Sequence, residues 1–209
     1  MPSRHRCFLL TPTDHIVVTL RRFAYKDSKT PNVPPCGRRV PRYPGGDLVT
    51  HETHNAEVEV GREVGTIEGS LDGDHTQHTF PHDDPRWSAS CACGYQFQTT
   101  DHWQESRSRL YQRSDTQELV TLSDAPVGAL YDSGTFRDVQ GYNRNGDGMS
   151  LICKTPAGEW LMDGPASNGP GWTRTGKPPD IDVSPSIGIG SPQRMHGWLR
   201  HGWLEIDSP

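Results

Sequence analysis

Asp101-His-Trp-Gln-Glu-Ser-Arg-Ser-Arg-Leu-Tyr-Gln-Arg113, or DHWQESRSRLYQR, decides the fold class, because it is the best helix candidate in the chain. Asp101 and Gln104 stand in the order of a capping box, and Trp103, Leu110 and Tyr111 fall on one face at helical spacing. The pattern predicts a helix over roughly 101–113. Working outward, most other segments read as strand or turn. Ile16-Val-Val-Thr-Leu20 is a buried-strand run with a basic end, and Ala56-Glu-Val-Glu-Val60 alternates as a strand with one wet face. Leu119-Val-Thr-Leu122 follows the helix candidate. Ser150-Leu-Ile-Cys-Lys154 and Glu159-Trp-Leu-Met-Asp163 then flank Pro156-Ala-Gly158, a hairpin signature. Asp180-Ile-Asp-Val-Ser184 alternates again. The repeated His-Gly-Trp-Leu at 196–199 and 201–204 reads as a hairpin around Arg200-His-Gly202.

Two polar, Pro/Gly-rich stretches, about 26–47 and 61–86, read as irregular loop arms of a kind that carries function or meets a partner. The expectation is a single α+β domain over 1–209, mainly antiparallel β-sheet, with one helix and long loops. Hydrophobic residues make up 32% of the 209, against 22 Gly and 18 Pro, so the core is thin and a structural metal would help it.

The formal charge of −5 is spread without long runs, which argues against non-specific nucleic-acid binding and a polybasic membrane anchor. No apolar run approaches the ~18 residues of a membrane span. The apolar run near the start ends within a few residues and does not form a signal peptide. Five cysteines, an odd number, argue against a disulfide framework and for a reducing cytoplasm.

Cys91-Ala-Cys93-Gly94 is half of a metal site: two thiolates, soft ligands that favour zinc, followed by a glycine that lets backbone amides turn toward sulfur. Cys7, Cys36 and Cys153 have no partner at metal-ligand spacing, and Cys153 sits in an apolar strand as a core residue. Of the ten histidines, five gather at 51/54 and 75/78/82, upstream of the cysteine pair. Asn143-Arg-Asn-Gly-Asp-Gly148 opens like a calcium loop, but Lys154 stands where the bidentate glutamate belongs, so the segment reads as a turn. No Gly-x-Ser-x-Gly, Walker loop, His-Glu-x-x-His or dinucleotide fingerprint is present. The six tryptophans read as core, with Trp160 and Trp198 on strands.

Cys91-Ala-Cys93-Gly94, Glu159-Trp-Leu-Met-Asp-Gly164, and Pro185-Ser-Ile187 followed by His196-Gly-Trp-Leu199 together resemble a protein family spread through actinobacterial phages. The same motifs are distantly similar to a small domain encoded in bacterial operons beside ubiquitin-like proteins and their activating and conjugating partners. The resemblance implies a phage-encoded accessory protein of the bacterial host cytoplasm or the virion, with a protein partner. The operon likeness implies a peptidase or isopeptidase. It also places His196 beside Cys91 and Cys93 as the third ligand of one zinc ion. The operon pattern has a further cysteine three residues before that histidine, where this chain has Gln193.

Two completions of the site stay open. His54, His78 or His82 closes a structural tetrahedron, or water holds the fourth place of a catalytic zinc with Asp83, Asp84 or Asp163 as base. The structural completion leads. A metal-free alternative makes Ser186 a nucleophile activated by His196, a role that excludes His196 from the metal.

Overall fold

The computed structural model describes residues 2–24, 36, 54–65, 67, 79–134, 145, 147–164, 171–189 and 195–207. These residues contain twelve strands and no helix. The fold is thus mainly antiparallel β-sheet, and the expectation of an α+β domain with one helix is corrected to all-β. The expected loop arms fall largely outside the described residues. Of them, 61–64 belong to a strand and 79–86 form turns.

The stretch read as a helix is strand β4 (His102–Arg113). Its chemistry explains the reversal. The Asp101 carboxylate does not cap forward; it accepts the Gln98 N–H at 2.7 Å and the Tyr95 hydroxyl at 3.0 Å, both behind it in the chain. Glu105, fully buried, accepts the N–H groups of Thr79 at 2.6 Å and Phe80 at 3.1 Å. The Arg107 guanidinium bonds the same carboxylate. Residues two apart share a face of a strand and not of a helix, so this pairing fixes an extended backbone. Trp103 adds edge-on contacts with Trp87 and His82, at ring-centroid distances of 5.3 and 5.2 Å. Packing against segment 79–88 overrides the local helical pattern.

The chain divides into two compact units, an inserted one of residues Thr13–Leu110 and an outer one of Met1–Pro12 and Tyr111–Pro209. In the inserted unit, β2 (Phe8–Ala24), from residue 15 onward, pairs antiparallel with β3 (His54–Val64). The register runs from His15 opposite Val64 to Ala24 opposite His54, with a slip between Val18 and Thr19. Leu20 and Ala24 are fully buried on β2, as the apolar run from Ile16 anticipates.

In the outer unit, the order β1 (Ser3–Arg6), β12 (Trp203–Ile206), β11 (Met195–Arg200), β10 (Asp180–Ile189), β9 (Thr173–Lys177) makes a five-stranded antiparallel sheet. Strands β6 (Ala129–Asp132), β7 (Leu151–Thr155) and β8 (Gly158–Leu161) form an antiparallel run, and Phe8 and Leu9 pair parallel with β6. The short β5 (Leu119–Val120) pairs with Tyr111 and Gln112. One core joins the two layers: Leu130, Cys153 and Trp160 on one side meet Ile181, Leu199 and Leu204 on the other. Cys153 is the core residue its strand suggests.

The hairpins expected at 156–158 and 200–202 both form. In the second, His201 and Gly202 take φ of 49° and 69°, as a two-residue turn with both central residues left-handed requires. Trp198 departs from expectation. Met195, Gly197 and Leu199 point inward, so His196 and Trp198 share the outer, half-buried face of β11.

Candidate metal centre

Cys36, His54, Cys91 and Cys93 bring one ligand atom each to a single place, all within 4.8 Å of one another. All four belong to the inserted unit. Each arrives by a traceable route. His54 opens β3 and is held opposite Ala24 by the β2–β3 register. Residues 89–97 fold into a tight knuckle. Within it the Phe97 N–H donates to Ala89 O at 2.9 Å, the Cys91 N–H to Tyr95 O at 2.9 Å, and the Gly94 N–H to Cys91 O at 2.9 Å. Gly94 has φ of 93°, a left-handed turn that the glycine after the cysteine pair supplies without strain. Cys36 joins Ala24, Cys91 and Phe97 in a small apolar cluster, with Ala56 and Tyr95 packed on it.

Three of the four residues are buried, Cys36 at 1%, His54 at 2% and Cys91 at 4% exposure, while Cys93 reaches solvent. His54 Nδ1 lies 3.1 Å from Cys93 Sγ. Bonds of about 2.3 Å to sulfur and 2.0 Å to nitrogen at tetrahedral angles separate ligand atoms by roughly 3.5–3.8 Å, so small side-chain rotations suffice to seat an ion. Tyr95 stacks on the His54 ring at 4.0 Å between centroids, 13° from parallel, and its hydroxyl is tied to Asp101. That stack fixes the imidazole plane, the role that outer groups play around metal ligands.

The electrostatics favour thiolate. Burial pushes the Cys91 thiol up, but the backbone N–H groups of Cys93 and Asn55, helped by the Cys93 and His54 side chains, outweigh it and hold the thiol at about 6. A thiolate already formed near neutrality is a ready ligand for a thiophilic cation.

Of the residues singled out in the sequence, the structure brings Cys91, Cys93 and His54 together. It adds Cys36, which lacks a nearby cysteine and so offers no spacing signal. His78 lies outside the described residues. His82 sits with Arg22, whose Nη2 is 3.4 Å from its Nε2. The cluster does not include His196, which belongs to the outer unit. Its Nδ1 lies 2.7 Å from an oxygen of Asp207 and its Nε2 3.0 Å from Ser186 Oγ.

The carboxylates nominated as bases are placed as follows. Asp84 forms a two-pronged pair with Arg86, Asp83 is exposed, and Asp163 is fully buried in the outer unit. There Asp163 accepts from Arg174 at 3.1 Å and from the Leu151 N–H at 2.8 Å. Asp147 binds the same guanidinium through both oxygens, at 2.9 and 3.0 Å. Asn145 and Asp147, from the segment that opens like a calcium loop, thus serve an arginine staple instead. No helix among the described residues is long and apolar enough to cross a membrane. Comparisons with protein-family models, curated proteins and solved structures return no match.

Proposed function

We propose that this is a zinc protein whose metal is structural, held by Cys36, His54, Cys91 and Cys93. The observation that carries the reading is the donor set itself: three thiol sulfurs and one imidazole converge, three of the four residues buried. Four protein ligands close a tetrahedral site and leave no place for water, the arrangement of structural zinc. Cys36 is 18 residues from His54 and 55 from Cys91 by position, so one ion ties distant parts of a loop-rich segment together.

The setting we propose rests on the motif resemblance. The protein is a phage-encoded accessory factor that acts in the host cytoplasm or virion through a protein partner. The metal-dependent peptidase reading loses support, because its open coordination position is filled by Cys36 and its nominated base Asp163 is engaged by Arg174.

Metal analysis of purified protein should find about one zinc per chain. Cys36→Ser and His54→Ala should each weaken zinc binding by about 100-fold or more, beyond the ~10–100-fold typical of outer-shell changes. His196→Ala should leave zinc content unchanged. Protein that loses zinc with His196→Ala and keeps it with Cys36→Ser would refute this ligand set.

A further inference from the structure

We propose that the outer unit carries a second, metal-free site, a serine hydrolase centre in which Ser186 is the nucleophile, His196 the general base and Asp207 the residue that positions the imidazole. It is independent of the zinc reading, since no residue is shared. The geometry is that of a relay. Ser186 Oγ lies 3.0 Å from His196 Nε2, and His196 Nδ1 lies 2.7 Å from Asp207 Oδ2. The two ring nitrogens are thus addressed by different partners, a hydroxyl on one side and a carboxylate on the other.

The fold builds this arrangement on purpose-made irregularity. Val183 pairs with Leu199 and Ile187 with Gly197, so Ser184, Pro185 and Ser186 oppose Trp198 alone. That bulge pushes Ser186 outward, and bulges re-aim side chains in this way beside active sites. Trp172 Nε1 donates to the Ser186 carbonyl at 3.4 Å and steadies it. His196 is two residues from Trp198 on the outer face, with their rings edge-on at 4.7 Å. Asp207 follows the last strand, and its N–H donates to the His196 carbonyl at 2.9 Å. Residues from β10, β11 and the end of β12 therefore meet at one place.

A cleft of about 300 Å³ opens at Ser186, walled by Thr175, Ser184, Pro185, Trp198 and Arg200. Arg200 lies over the Trp198 ring at 5.2 Å and has no ion-pair partner among the described residues. A guanidinium on the wall of the same cleft suits a substrate whose acyl part carries a carboxylate, while Asp182, the carboxylate that also lines the cleft, accepts the His201 N–H at 3.1 Å. In the reaction, Ser186 Oγ bonds to the carbonyl carbon of an ester or amide as its proton passes to His196 Nε2. That proton then leaves with the departing alcohol or amine, giving acyl-Ser186. Water, deprotonated by the same imidazole, cleaves the acyl–oxygen bond, restoring the serine and releasing a carboxylic acid.

The test is labelling of the full chain with a fluorophosphonate, followed by peptide mapping. Covalent modification is expected at Ser186, absent in Ser186→Ala and slowed about 100-fold or more in His196→Gln. Asp207→Asn should slow it about 10-fold or more and Asp207→Glu should restore part of the loss, which a merely structural carboxylate would not do. Wild-type protein, which needs no variant to fold, should itself take up the label at Ser186 and at no other serine. Hydrolysis of an aryl hemisuccinate should exceed that of the matching neutral acetate, and Arg200→Gln should raise KM for the former alone. Absence of label at Ser186 in folded wild-type protein, or a rate indifferent to His196→Gln, would each overturn the hydrolase centre. Equal turnover of the two esters would overturn the carboxylate preference.

Discussion

Cys91 shows how much of the metal site is set by its own backbone. A thiol pKa lowered to about 6 from 9.0 stabilises the fold fully only above the ordinary thiol value. That contribution declines as pH falls and is gone below about 6. In chelator-stripped protein, urea midpoints at pH 9 and pH 6 should therefore differ more for the native sequence than for Cys91→Ser, with the native one weaker at the lower pH. At the same scale, legibility was uneven. The Cys-x-Cys-Gly motif announces itself because two ligands and their turn are adjacent. Cys36 has no such signature, since its partners are brought to it by strand pairing and packing. His54 is legible only as one histidine among ten. The motif likeness offered His196, whose two nitrogens are instead addressed by Ser186 and Asp207, groups far from Cys91 in sequence.

Strand β4 carries the element-scale lesson. Its sequence fits a capping box and a helical face, and both signals are local. Asp101 is drawn back by Gln98 and Tyr95, and the interactions that defeat the helical face come from segment 79–88, 15 or more residues upstream of Trp103, beyond any window of one helix length. Period-two strands whose partners are close in sequence, such as β7–β8 and β11–β12, were readable because the turn residues sit between them. The buried Glu105 offers a direct check on what holds β4. Glu105→Ala should lower unfolding stability by about 3 kcal/mol, because the Thr79 and Phe80 amides and the Arg107 guanidinium lose their acceptor. Chemical denaturation with far-UV circular dichroism would measure it. A loss within 0.5 kcal/mol, the size of an ordinary surface change, would mean these bonds do not hold the strand.

At the scale of the whole molecule, every ligand of the metal centre lies in residues Thr13–Leu110, while the outer core from Leu130 to Ile206 contains none of them. Chelation should therefore expose cleavage sites within 13–110, and limited proteolysis with mass mapping should find the outer segments retained. Early cuts spread evenly along the chain would contradict that division. The sequence did foretell a β-rich chain with a cluster of cysteine and histidine able to hold a metal ion. The division itself was not legible, because the outer unit takes strands from both ends of the chain and no linker of distinctive composition marks the crossings within β2 and β4. The pairing of Ser3 with Ile206 has a consequence for biosynthesis. Strand β1 leaves the ribosome about two hundred residues ahead of the neighbour it needs. Cys93 is translated about a hundred residues before that neighbour, so the Cys/His cluster can assemble while the outer sheet still awaits its closing edge.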